Sequence, residues 1–206
     1  TEVQWTASEV VRNVSFWMLL AALVTRGLAQ GGVQIHLIPH LEDQGLEREI
    51  AATAYIIGGA VMAGAGFLWG PLSDRVHVRH VYNLGSVLLI AYILATIYAT
   101  TLAMVIVVGV LQGFTIGATI MVQRVAYANF FGRQSAGAIQ GIVVPFQVLG
   151  SGVGGLVAAG LFIVGGSYVL PFWSFIGLVS LGMVLMLFLP DPKKAPQPAE
   201  AAPEST

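Results

Sequence analysis

With 206 residues, 56% of them hydrophobic and only 9% charged, the chain departs far from the roughly 25% charged composition of a soluble domain. Nine Lys and Arg against ten Asp and Glu leave a formal charge of -1, so no basic surface exists to hold nucleic acid by its phosphates. The absence of cysteine excludes disulfide scaffolds, thiolate metal sites and thiol catalysis together.

The chain opens on Thr1, and residues 1–13 form a mixed polar stretch without the positively charged start of a signal peptide. Something is expected to precede it, and the stretch reads as a cytoplasmic lead-in or linker. A bilayer core about 30 Å thick takes roughly 20 apolar residues in helical form. Six such runs follow, at 16–38, 50–70, 81–99, 102–123, 136–164 and 168–189, and Arg26 is the one formally charged side chain in all of them. Continuous apolarity excludes a barrel, whose strands alternate. The fold class is therefore all-α: a polytopic membrane protein with a six-helix bundle over 14–189. Residues 190–206 hold five prolines and too little apolar surface to fold, so a disordered cytoplasmic tail is expected.

Threading the runs in order puts Arg12, Arg75, Arg79, Arg124, Arg133, Lys193 and Lys194 on one side and Arg48 alone on the other. Cytoplasmic loops carry the excess of Lys and Arg, so both termini are expected in the cytoplasm, and the acidic segment 39–49 outside. The plasma (inner) membrane is the expected location.

Arg26 lies near the middle of the first run. A central Arg costs about 2.5–3.5 kcal/mol to insert, and such residues face protein or a wet cavity. No Asp or Glu lies in any run to neutralise it. One reading makes its partner a small organic anion held by the planar guanidinium; the other is a structural Arg bonded to backbone carbonyls or paired outside this chain. Gln30 and Gln34 follow at steps of four, within an arc of about 80°. Gln112, Thr115, Thr119 and Gln123 repeat the pattern on the fourth run, and Gln140, Gln147 and Ser151 on the fifth. Amides and hydroxyls in hydrocarbon need partners, so these stripes must line protein or water. The candidate substrate-binding set is Arg26, Gln30, Gln34, Gln112, Thr115, Thr119 and Gln147. The competing role for each Gln or Thr is a bond between helices.

His36 stands near the outer end of the first run, where an imidazole can couple proton uptake to transport; His40, one turn on, reads as solvated. Gly59, Ala63, Gly66 and Gly70 share a face of the second run, and Gly150 and Gly154 make a small-residue pair on the fifth, so both helices are expected to approach neighbours closely. Pro145 is expected to bend the fifth.

Between the second and third runs the chain reads Gly70-Pro71-Leu72-Ser73-Asp74-Arg75-Val76-His77-Val78-Arg79-His80. This resembles the G-x-x-x-D-R-x-G-x-R-R loop of the major facilitator superfamily in its second-half copy, with matches at Gly70, Asp74, Arg75 and Arg79 and with His77 in place of the usual Gly. The resemblance spans about residues 10–190 and implies the C-terminal six-helix half of such a transporter. It also implies a cytoplasmic gate at Gly70, Asp74, Arg75 and Arg79, cavity-lining first and fourth helices, and outer third and sixth helices. Phe16-Trp17, His36-Leu37-Ile38-Pro39 and the acidic loop ending in Gly45 are similar to the monocarboxylate and oxalate/formate branch. Members of that branch carry a basic residue in the eighth helix, which this chain lacks at 50–70.

The expected function is secondary active transport of a small organic anion by alternating access. No catalytic group, metal site or cofactor is expected, since the runs hold neither paired carboxylates nor a His cluster and no G-x-x-x-x-G-K loop is present. The expected partners are the anionic substrate, the lipid bilayer, and either an N-terminal six-helix half or a second copy. The other class consistent with the sequence is a non-transporting membrane scaffold or receptor subunit.

Overall fold

The computed structural model describes the backbone of residues 7–131 and 133–190, and their side chains except at 7, 8, 74, 124–131, 133–136 and 138. Described residues form helices and no strands: α1 (Ala7–Val11), α2 (Val14–Asp43), α3 (Arg48–Arg75), α4 (Val78–Ile97), α5 (Leu102–Phe131), α6 (Arg133–Gly165) and α7 (Val169–Leu187). Six of them, α2 to α7, are long and apolar enough to cross a membrane. The expected tail beyond Pro190 and the residues before Ala7 lie outside the described residues.

Local chemistry sets the helix ends. The Asn13 side chain accepts a bond of 2.9 Å from the Ser15 N–H and so caps α2. At the far end Gly45 takes φ 88°, its N–H reaching Glu42 O at 2.9 Å and the Leu46 N–H reaching Leu41 O at 3.1 Å. These two bonds close the last carbonyls of α2 in a Schellman arrangement that needs a left-handed residue. Because nothing lies within 4 Å of a Cβ placed at Gly45, Gly45→Ala should cost only the backbone strain, about 1–2 kcal/mol. A melting point unchanged from wild type in detergent would contradict this.

Three helices run through a proline: α2 through Pro39, α3 through Pro71 and α6 through Pro145. Membrane helices tolerate this because neighbours re-satisfy the freed carbonyls. Two expected boundaries change as a result. The first span extends past residue 38 to Asp43, and Gly70–Arg75 belong to the last turns of α3 rather than to a loop. The turn itself is short, and His77 caps α4 by accepting the Arg79 N–H on Nδ1 at 3.4 Å. With φ at -57° there, this position does not require the glycine usual in the motif.

The packing has an internal exchange. The α3 helix packs mainly on α5 and α2 on α6, α4 on α5 and α2 on α7, and α4 meets α7. Swapping α2 with α5, α3 with α6 and α4 with α7 maps this pattern onto itself, so the bundle is two intertwined helix triplets. Three crossings separate each helix from its counterpart, which makes the counterparts antiparallel and the repeat inverted.

Between helices in lipid, attraction comes from van der Waals fit rather than from the hydrophobic effect. Both main seams are accordingly lined with glycine. A Cβ on Gly113 of α5 would stand 2.5 Å from the Gly58 carbonyl oxygen of α3 and 2.9 Å from the Met62 nitrogen. On α6, a Cβ at Gly154 would collide with the Leu28 carbonyl of α2. The expected pair Gly150 and Gly154 does pack on a neighbour, whereas Gly59 and Gly66 face open space within the chain, with nothing within 4 Å. One residue's offset, from Gly59 to Gly58, turns the small face of α3 towards α5.

Two apolar clusters fill the bundle, one holding Phe16, Leu19, Leu23, Tyr82 and Met186, the other Ala29, Leu37, Leu89, Tyr92 and Phe172. Arg26 falls between them along α2. Outside, α3 and α6 are the least covered helices; Ile56 and Phe67 of α3 and Val148 and Leu156 of α6 are 72%, 84%, 66% and 74% exposed.

Candidate functional site

The polar stripes of α2, α5 and α6 meet in one cleft of about 370 Å³, lined by Gln30, Gln34, Thr119, Gln123, Gln147 and Ser151 with Gly27, Gly31, Ile116, Ile120, Val144 and Val148. A recess further along adds Ile35 and Tyr55 beside Gly31, Gln34 and Ser151. This volume is within the range of small-molecule sites. Its wall carries amides and hydroxyls, and no charged side chain among the described residues. Neither α4 nor α7 contributes to it. Gln123, Ser151 and the small and branched residues between the polar positions complete the wall; they follow the same steps of three and four that the stripes do.

Arg26 is not in the cleft, contrary to the expectation that it contacts substrate directly. Its side chain turns behind the wall, towards α4 and α5, and is 1% exposed. Nε donates to Thr119 Oγ1 at 3.2 Å, Nη1 to Tyr82 O and Ser86 Oγ at 3.2 Å each, and Nη2 to Thr115 O at 3.3 Å. The guanidinium also stands 5.7 Å from the Tyr82 ring centroid, a distance favourable for a cation and an aromatic face. Gly85 provides the room: a Cβ there would be 2.8 Å from Nη1. A buried guanidinium must satisfy donors that accept nothing in return, and four acceptors are available on this side. The structural reading of Arg26, bonded to backbone carbonyls, describes this geometry. Among the described residues no carboxylate pairs with it; elsewhere, the exposed Arg48 pairs with Glu42 at 3.7 Å.

The arrangement nonetheless ties Arg26 to the cleft. Thr119 Oγ1, which accepts from Arg26, stands 2.9 Å from Gln30 Oε1. A single hydroxyl thus separates the buried cation from a cleft-lining amide.

Two other expected binding residues also lie away from the cleft. Gln112 is 3% exposed and packs against Gly58 in the α3–α5 seam, its amide atoms without hydrogen-bond partners among the described residues. The Thr115 hydroxyl donates to Leu111 O at 2.7 Å. Their stripe is about 80° wide, and its outer half is taken up by the neighbouring helices. Gln34 stays in the cleft, and its backbone carbonyl accepts from the Tyr55 hydroxyl.

At the other end of α2, the His36 ring packs 5.1 Å from Tyr168 and its Nε2 lies 3.0 Å from Gly155 O, bridging α2 to α6. His40 is not solvated. It is 2% exposed, its Nε2 is 3.0 Å from Thr96 O, and its ring meets Phe172 edge-on at 5.0 Å. Because α2 continues through Pro39, His40 is a helical residue facing α4 and α7. Burial, and then the nearby Asp43 carboxylate, push the Tyr168 hydroxyl above the usual phenol range, so this ring remains neutral.

Arg75, at the end of α3, is exposed, and Arg79, in the first turn of α4, is half-buried. Ser73 Oγ donates to Gly70 O at 2.8 Å. The Asp74 side chain lies outside the described residues.

Six long apolar helices in two exchanged triplets around a polar cleft define a polytopic membrane protein. A sequence profile of the Major Facilitator Superfamily matches residues 19–205, and the chain belongs to that family, whose members are membrane transporters and not enzymes. None of the curated proteins compared with the chain matches it.

Proposed function

We propose that this chain is the C-terminal six-helix half of a secondary active transporter that carries a small organic anion, such as a monocarboxylate, by alternating access. The observation that supports this reading is a polar cleft with no acidic side chain in its wall and a buried cation one hydroxyl behind it with no carboxylate partner, both among the described residues. In this scheme Gln30, Gln34 and Gln147 touch the substrate, and Thr119 stands behind Gln30 in the wall. Arg26 supplies positive potential from behind, while Gln112 and Thr115 hold the wall. An anion about 8 Å from that charge would gain about 2 kcal/mol at an effective dielectric constant near 20. Similarity of the opening motifs supports the monocarboxylate and oxalate/formate branch.

The second half of the carrier, an N-terminal six-helix unit or a second copy, covers the open faces of α3 and α6. Both termini lie in the cytoplasm of a cell bounded by the plasma (inner) membrane, as the distribution of Lys and Arg supports. There Gly70, Asp74, Arg75 and Arg79 latch the cytoplasmic side, and His36, bridging to a carbonyl of α6, couples protonation to the movement of that helix.

Uptake of radiolabelled lactate, oxalate, glucose and ethanolamine into proteoliposomes holding the intact carrier tests the proposal. Saturable uptake of the acids alone is expected, and uptake restricted to glucose or ethanolamine would refute it. His36→Gln should flatten the pH profile of acid uptake; a profile identical to wild type removes His36 from the mechanism.

A further inference from the structure

The hydrogen-bond directions behind the cleft fix what its wall presents to a solute. Thr119 Oγ1 has one proton and two lone pairs. The Arg26 Nε–H can only donate, so it occupies one lone pair, at 3.2 Å. The proton then has two acceptors in reach, Gln30 Oε1 and Thr115 O, both at 2.9 Å. Thr115 O already accepts from Arg26 Nη2 at 3.3 Å and from the N–H four residues on in the α5 ladder. With two other donors on it, Thr115 O is the poorer acceptor, and the Thr119 proton favours Gln30 Oε1. The amide dipole agrees with this choice, since its negative end points to the side of the guanidinium.

We propose that Arg26 and Thr119 are positioning residues that hold the Gln30 amide with its oxygen inward and its N–H groups towards the cleft, so that the site recognises carboxylate. This deepens the anion reading and rests on it. Gln147 lines the same cleft from α6, and its Nε2, buried and without a hydrogen-bond partner among the described residues, becomes a second donor once the side chain turns towards a bound acid. Two amide donors from α2 and α6 can take the two oxygens of one carboxylate without a formal charge at the contact. An ammonium group, which only donates, meets no acceptor from Gln30. Arg26 therefore acts on the substrate through Thr119 and Gln30 and by its field.

The test measures uptake kinetics of lactate and oxalate by the intact carrier in proteoliposomes, with protein amount and thermal stability in detergent measured alongside. Thr119→Val keeps the volume but removes both the acceptor for Arg26 and the donor to Gln30, and should raise KM for the acids by about tenfold with Vmax little changed. Thr119→Ser, which keeps the hydroxyl, should return KM to near the wild-type value. A purely structural Thr119 would lower protein amount or stability and leave KM alone. Should Thr119→Val not fold, Gln30→Glu replaces the N–H face with an anionic oxygen and should abolish acid uptake. Unchanged KM in Thr119→Val, or unchanged acid uptake in Gln30→Glu, overturns the positioning role while the anion reading stands. A wild-type carrier that transports only glucose or ethanolamine overturns both.

Discussion

Arg26→Met is expected to leave the protein as stable as wild type, or more so, while acid uptake falls by a factor of about 30. The stability arm follows from the cost of the buried charge. A central Arg costs about 2.5–3.5 kcal/mol to insert, and an apolar side chain of similar length removes the burial of an unpaired charge. Two of the four acceptors, Tyr82 O and Thr115 O, belong to helix ladders, so they keep a partner when the guanidinium goes. Ser86 Oγ donates to Tyr82 O at 2.9 Å with or without Arg26. The uptake arm follows from the field, since losing about 2 kcal/mol of attraction at an effective dielectric constant near 20 is a factor of about 30 in affinity. Arg26→Ala should differ by losing both, because the hole it leaves costs about 2–5 kcal/mol. Melting curves in detergent and initial uptake rates from the same preparations separate the two arms. Uptake by Arg26→Met equal to wild type would make Arg26 a structural residue only.

Gly154→Val should be the most damaging single change to the bundle. A Cβ at this position collides with the Leu28 carbonyl and stands 3.0 Å from the Gly32 nitrogen. Both are backbone, so neither can rotate away. Where side chains can give, overpacking costs about 1–3 kcal/mol; here the helices themselves must part, and a loss of about 3 kcal/mol or more is expected. For a chain of this size that lowers the melting point by roughly 6 °C or more. Gly152→Ala, on the same helix with nothing within 4 Å, is the control. It should melt at or slightly above the wild-type temperature, since Ala favours helix over Gly by about 1 kcal/mol. Equal melting points for Gly154→Val and wild type would mean that α2 and α6 do not approach as closely as described.

Helix number, order and type were legible because bilayer thickness imposes a length that apolar runs of about 20 residues display directly. The ends were less so. Pro39 and the Gly70-Pro71 pair look like stops by soluble-protein logic, yet α2 and α3 continue through them. The cleft was legible through angular arithmetic: Gln30, Gln34, Thr119, Gln147 and Ser151 come from three stripes that periodicity alone singles out. The side to which Arg26 turns was not, because it depends on Gly85 and Ser86 of α4, distant in sequence and silent until the two helices are put together. Gln112 shows the same limit, sharing the stripe of Thr119 but lying where α3 closes over it. The glycines of α3 were misread by a single position, which in a helix is a rotation of about 100°.

Triplets that trade places head to tail offer matching packing to either leaflet. Under the alternating-access scheme proposed above, outward-open and inward-open forms of such a bundle would lie close in energy, because the packing between its triplets favours neither orientation. A near-level balance can be tipped by weak forces: a differential affinity of about 1.4 kcal/mol for one form already shifts the ratio tenfold. Within that scheme a solute need only prefer one form slightly to change which way the bundle faces, whatever its absolute affinity.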